Sequence, residues 1–301
     1  MNWCCLLLIL LLLAIVVVVI ISTVRLGGFI GTIVDAQTNP GITFTVIPYP
    51  ESVPPIPAPQ TYDKTLAQLG LSTVMSNSNL DKNVDPLFPD YLKLIQTLPY
   101  NQGIVVQPKS QNGFTHILTF KEIIGLRDIV DDLKFSQVPY HGLGKVNAGF
   151  ASVANQIYPL LKFSAGARIL VTGHSLGAAV GELIAARLIK EQNLSVVVYI
   201  SGRPRVGDLD WETNANKYLI NRWILINTAD DIPQLPLNTM RSRNGTGYGY
   251  VSSSRDRTVI FDYQTGNVSN NHSLLTYQYA LNPIEPPFPT LWNAPLRFVC
   301  N

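Results

Sequence analysis

The chain has 301 residues, 47% hydrophobic and 14% charged, which suffices for one large domain or two small ones and excludes a disordered polymer. Lys and Arg total 22 against 20 Asp and Glu, and a formal charge of +2 argues against a nucleic-acid partner, which needs a concentrated basic face. Of the three cysteines, Cys4 and Cys5 lie in an apolar run and Cys300 is the penultimate residue, so neither a disulfide scaffold, a zinc site nor a dithiol motif is available.

From Trp3 to Ile21 every residue is apolar. As a helix this run spans about 28 Å, close to the hydrocarbon thickness of a bilayer. It lacks a basic start, exceeds the core of a signal peptide, and has a poor exit at Ile20 and Ser22. The expectation is an uncleaved single-pass anchor within residues 1–25; cleavage would instead give a secreted protein. Arg25 orients it only weakly. With the N-terminus in the cytoplasm, Cys4 and Cys5 become acylation sites; otherwise they are simply apolar enough to insert.

Residues 26–61 read as a Pro-rich linker, with Pro48, Pro50, Pro54, Pro55, Pro57 and Pro59 forbidding helix and central strand. Helical patterns follow at Tyr62–Met75 and Pro89–Leu98. Gly103–Gln107 and Thr115–Phe120 read as strands joined through Gln111-Asn112-Gly113, a hairpin signal. Val146–Leu161 reads as a helix, Arg168–Thr172 as a strand leading into a long helix through Ile189, and Ser195–Ile200 and Trp223–Asn227 as buried strands. This alternation predicts an α/β domain over 62–282 with a mostly parallel central sheet. Residues 283–301, rich in proline, read as a surface tail.

Gly173-His174-Ser175-Leu176-Gly177 is a Gly-x-Ser-x-Gly sequence placed directly between a strand and a helix. That is the setting of a nucleophile elbow, where a sharp turn lifts a serine hydroxyl clear of the sheet. Ala178, Ala179 and Gly181 allow the helix to pack close behind it. The base must follow the nucleophile in the chain order of this fold, and of the four histidines only His272 does so. The acid lies between them. Asp230, just past Trp223–Asn227, fits best, with Asp231 a direct competitor and Asp208, Asp210 and Asp262 weaker, since none closes a buried parallel strand as cleanly.

The stretch from about Gly103 to Tyr279 resembles the class 3 lipases, the filamentous-fungal triacylglycerol lipase type. The elbow matches that family. Gly202-Arg203-Pro204-Arg205-Val206-Gly207 is similar to its Gly-x-Pro-Arg-Val-Gly, and Asp230 through Pro236 to its Asp-Ile-Val-Pro-x-Leu-Pro. His272-Ser273-Leu274-Leu275-Thr276-Tyr277 resembles its terminal histidine segment, and Gly149-Phe150 its Gly-Phe before a helix. The resemblance implies an α/β-hydrolase fold and selects Asp230 over Asp231. It also implies an oxyanion hole from the backbone N–H groups of Ile123 and Leu176. By position the amphipathic segment bearing Leu126, Ile129, Val130 and Leu133 is its lid.

Two departures bear on activity. The family's Phe-Arg-Gly-Ser/Thr is replaced by Phe120-Lys121-Glu122-Ile123, which removes a hydroxyl and adds a carboxylate where an anion develops. Asn147 stands where a histidine commonly precedes Gly-Phe. Four glycosylation sequons, at Asn193, Asn244, Asn267 and Asn271, are about as many as composition alone yields. The reading is a membrane-anchored serine ester hydrolase acting on a lipid or other acyl ester, with Ser175, His272 and Asp230 catalytic and no metal or organic cofactor. Its rival is a weak or inactive lipase-like domain that binds lipid or a protein at a membrane.

Overall fold

A computed structural model describes residues 47–80, 88–99, 102–110, 113–121, 135–241, 245–253, 257–283, 287, 290 and 292–298. The strands are β1 (Leu92–Thr97), β2 (Gly103–Pro108), β3 (His116–Phe120), β4 (Gln137–Pro139), β5 (Lys145–Asn147), β6 (Arg168–His174), β7 (Ser195–Ser201), β8 (Arg222–Asn227), β9 (Thr239–Arg241), β10 (Gly247–Gly249), β11 (Thr258–Gln264) and β12 (Trp292–Phe298). The helices are α1 (Lys64–Leu80), α2 (Ala148–Ile157), α3 (Ser175–Gln192), α4 (Leu209–Tyr218), α5 (Val268–His272) and α6 (Leu274–Leu281).

Among the described residues, eight strands form one sheet in the order β1-β2-β3-β6-β7-β8-β11-β12. The run from β3 to β11 is parallel, with antiparallel partners at both edges. Burial on both faces explains the apolar strands. On β7, Val196, Val198 and Ile200 enter one core cluster while Val197 and Tyr199 enter the other. The first cluster takes residues from α2, α3 and α4, and the second from α1 and α6. Helix α3 is buried along nearly its whole length and ends at Asn193, whose φ of 52° is left-handed.

Several local expectations differ. Pro89–Leu98 is not a helix: β1 pairs with β2 from Leu92↔Pro108 to Thr97↔Ile104, with a bulge between Leu94 and Gln96. A short apolar cluster fits either period, and here Leu92 and Leu94, two apart, turn inward while Ile95 is 43% exposed. Val146–Leu161 divides into the end of β5, helix α2 and a 3-10 turn, because Asn147 stops the strand and caps the helix. The C-terminal tail contributes β12, in which Pro295 falls between the paired residues Ala294 and Arg297. Proline is tolerated there because an edge strand with a bulge needs no donor at that point. The sequence expectation also missed β11, although Val259, Phe261 and Tyr263 alternate inward along it.

The proline-rich stretch is extended, as its composition requires, yet it lies on the domain rather than apart from it. Ile47, Tyr49, Val53 and Ile56 pack against the second core cluster. Its carbonyls serve helix α1 and the residue ahead of β1: Gln68 and Ser72 donate to the Pro48 oxygen at 3.0 and 2.9 Å, and Tyr91 donates to the Pro50 oxygen. The expected anchor Trp3–Ile21 lies outside the described residues. Among the described residues no helix is long and apolar enough to cross a membrane.

Candidate active site

Strand β6 delivers the chain to Ser175 from the middle of the sheet. Ser175 itself has φ of 56°, a left-handed backbone that a residue with a Cβ adopts only where its surroundings enforce it. The flanking glycines show what enforces it. A Cβ on Gly173 would lie 2.7 Å from the Gly177 carbonyl oxygen, and one on Gly177 would lie 2.1 Å from the Lys121 oxygen. Glycine thus lets the first turn of α3 press against both β6 and the end of β3.

His272 reaches this serine from α5. Its Nε2 lies 2.8 Å from Ser175 Oγ and its Nδ1 lies 2.6 Å from Asp230 Oδ2. Ser175, Asp230 and His272 are all buried. The Asp230 carboxylate accepts from the Ile232 N–H at 2.9 Å through Oδ1, and from the Tyr277 hydroxyl at 2.6 Å through Oδ2. Burial, and then the neighbouring Asp230 charge, push the Tyr277 phenol well above its ordinary value, so it is a permanent donor here. Asp231, the competitor, is exposed. The structure therefore brings together Ser175, His272 and Asp230.

His174 faces away from the serine but not away from the site. Its Nδ1 lies 2.9 Å from Ser201 Oγ and its Nε2 lies 2.9 Å from the His272 carbonyl oxygen. Only an N–H can bond that carbonyl, so Nε2 carries the proton and Nδ1 accepts from Ser201. The two imidazoles stack with centroids 4.6 Å apart. Complete burial, with the His272 ring beside it, drives the His174 pKa well below 6.5. Gly202, at φ of 57°, lies below both rings, and a Cβ there would be 2.9 Å from each Cε1.

Sequence reasoning missed a buried ionic cluster behind the elbow. Arg203 and Arg222 both pair with Glu182 on α3 and with Glu212 on α4. Arg203 also donates to Ser253 Oγ at 2.8 Å, and Arg222 to Asn216 Oδ1 at 2.7 Å. Two positive and two negative charges thus cancel in the interior, which is the condition for burying any of them. Arg203 and Arg205 were legible as a motif, but the glutamates were not. Arg205 donates instead to the carbonyls of Gln234 and Pro236 and to Ser252 Oγ, fixing the loop beyond Asp230. Asn147 accepts from Gly149 and Phe150 N–H at 2.9 and 3.2 Å, so at this departure from the family pattern the residue caps a helix.

Leu176, the second residue of α3 and an expected oxyanion donor, is buried next to Ser175. Ile123 and the expected lid residues Leu126, Ile129, Val130 and Leu133 lie outside the described residues. Among the described residues no group of three or more His, Cys, Asp or Glu is arranged to hold a metal ion.

Sheet order, elbow and hydrogen-bonded serine, histidine and aspartate are of the α/β-hydrolase kind. The class 3 lipase family model matches residues 117–240. A lipase of Rhizomucor miehei is 28% identical over 201 residues, covering 60% of this chain and 54% of that one. A secreted mono- and diacylglycerol lipase of Malassezia globosa is 27% identical over 187 residues, covering 58% of this chain and 59% of that one. The chain therefore spans little more than half the length of these two relatives. The crystal structure of a lipase from Rhizopus microsporus var. chinensis superposes with a TM-score of 0.51 at 22% identity, covering 74% of this chain and 84% of that one. These findings show a chain that resembles the class 3 lipases of fungal type, most directly over residues 117–240.

Proposed function

We propose that this chain is a lipase-type carboxylic ester hydrolase acting through an acyl-enzyme. The observation that carries the reading is the continuous hydrogen-bond chain from Ser175 through His272 to Asp230, at 2.8 and 2.6 Å, on a strained elbow. Ser175 Oγ attacks the acyl carbon while His272 Nε2 takes its proton. Asp230 holds the ring with Nε2 toward the serine and balances the imidazolium. The ester C–O bond then breaks as His272 returns the proton to the leaving alkoxide. Water, deprotonated by the same histidine, releases the acid and restores Ser175. The backbone N–H groups of Ile123 and Leu176 would bear the oxyanion, and the segment carrying Leu126, Ile129, Val130 and Leu133 would act as the lid.

The substrate is an acyl ester of lipid type, a reading supported by the family and by the acylglycerol activity named for the Malassezia relative. Trp3–Ile21 would hold the domain at a membrane; alkaline extraction that releases the full-length protein would contradict this. Ser175→Ala and His272→Ala should each abolish hydrolysis of a short-chain ester, and the double variant should be little worse, because triad members act as a unit. Asp230→Asn should be severe and Asp231→Asn mild; equal losses would overturn the choice of acid. A second reading, a lipid- or protein-binding domain with little catalysis, is favoured by one observation: Lys121-Glu122-Ile123 replaces the family's Arg-Gly-Ser/Thr. A folded wild type and a Glu122→Gly/Ile123→Ser variant that are both inert and both unlabelled by a fluorophosphonate would favour it over catalysis.

A further inference from the structure

We infer that Asn227 and Asn271 are positioning residues that fix Asp230 and His272 relative to each other, an inference that rests on the triad reading above. The acid and the base come from separate parts of the chain, one from the loop after β8 and the other from α5. Nothing in the His272–Asp230 contact alone sets the angle between them.

Asn227 is fully buried at the end of β8. Its Oδ1 accepts from the Tyr263 and Ala229 N–H groups at 2.9 and 3.3 Å, and its Nδ2 donates to the Tyr263 and Asn271 carbonyls at 3.0 and 2.9 Å. Asn271 is 4% exposed. Its Oδ1 accepts from Thr265 N–H and Oγ1 at 2.9 and 2.8 Å, and its Nδ2 donates to the Ala229 carbonyl and Gln264 Oε1, both at 2.9 Å. The arrangement is reciprocal. The Asn271 side chain holds the carbonyl of the peptide leading into Asp230, and the Asn227 side chain holds the carbonyl of the peptide leading into His272. Each amide uses two donor hydrogens and two acceptor positions, a set that neither aspartate nor leucine of similar size supplies.

Asn271 is also the first residue of a sequon. A glycan would replace one Nδ2 hydrogen and would need an exposed amide, so the residue that looks modifiable in sequence is committed to the site. A shift of about an ångström in a catalytic group can cost about a hundredfold in rate, which is why such a clamp matters.

The test uses the full-length protein and Asn271→Ala, Asn271→Asp and Thr265→Val. The last keeps both buried amides and removes one donor to Asn271, together with the hydroxyl that accepts from Asn267 N–H at 3.1 Å, so helicity in its circular dichroism must match wild type. Circular dichroism and melting temperature supply the folding control. The readouts are kcat and KM on p-nitrophenyl butyrate, the labelling rate with a fluorophosphonate, and the acid limb of the pH profile. The titratable groups around His272 among the described residues are Asp230, His174 and Tyr277, with Asp231 beside Asp230. Weakening the hold of Asp230 removes a counter-charge from the imidazolium and moves the acid limb to lower pH. Expected are a fall in kcat of about tenfold or more for the two Asn271 variants, and about threefold for Thr265→Val, with KM within about twofold. Labelling should slow in parallel, and the acid limb should move downward. Folded variants with wild-type labelling and an unmoved acid limb would overturn the proposal. If both Asn271 variants fail to fold, Thr265→Val decides it alone. A wild type that the probe does not label sinks the triad reading itself, a distinct outcome.

Discussion

His174, inside the elbow, donates its Nε2–H to the His272 carbonyl at 2.9 Å and so holds the peptide next to the proposed base. Its depressed pKa also makes stability depend on pH, with a definite sign. Folded His174 stays neutral while unfolded His174 protonates below about pH 6.5, so the contribution is complete above that value and lost as pH falls through it. The loss should be at most about 1.4 kcal/mol per pH unit. Urea unfolding at pH 7.5 and 5.0 should show the wild type weakening more than His174→Asn over that interval; parallel losses would contradict this. Ser175 and His272 were readable because the elbow sequence is distinctive and only one histidine follows it. Asp230 was not separable from Asp231 by position alone, since both follow the same strand. What separates them is direction: Asp230 turns inward to His272 and Tyr277 while Asp231 meets solvent. Tyr277, Asn227 and Asn271 could not be recognised, because a buried polar residue looks like a surface one until its partners are placed.

At the scale of elements, the sheet was legible where strands are buried on both faces, and illegible at its two edges and at β11, an inner strand that fully buries only alternate residues. The unbroken apolar runs at β6, β7 and β8 allow one interpretation; β1 and β12 are edge strands, where mixed composition and proline are permitted. The close approach of elements around the elbow gives two tests. Gly202→Ala would place a methyl 2.9 Å from both imidazoles, on a backbone at φ of 57°. It should lower kcat by about tenfold or more in a folded protein, by moving His272 off Ser175. Wild-type turnover would show that the loop relaxes freely. Arg222→Met leaves Glu182 and Glu212 buried with one guanidinium between them. Unfolding free energy should fall by about 3–5 kcal/mol, because removing one partner of a buried pair strands the other charge. A loss below about 1 kcal/mol would mean that water reaches the cluster.

Across the whole molecule, the proline-rich stretch joins whatever lies ahead of residue 47 to a domain that includes part of the stretch itself. Composition identified its extended backbone but could not reveal its docking, since the apolar residues between the prolines are few and aperiodic. Chains beginning at residue 41 and at residue 62 should therefore differ. The shorter one loses Ile47, Tyr49, Val53 and Ile56 from the second core cluster and should melt several degrees lower. Equal melting temperatures would return the stretch to the role of a spacer. The most direct test of the catalytic account is covalent labelling of the full-length protein with an alkyl fluorophosphonate, read by intact mass and peptide mapping. The account predicts a single adduct on Ser175, abolished in Ser175→Ala and slowed in His272→Ala. A folded wild type without an adduct, or with its adduct on another residue, would contradict it.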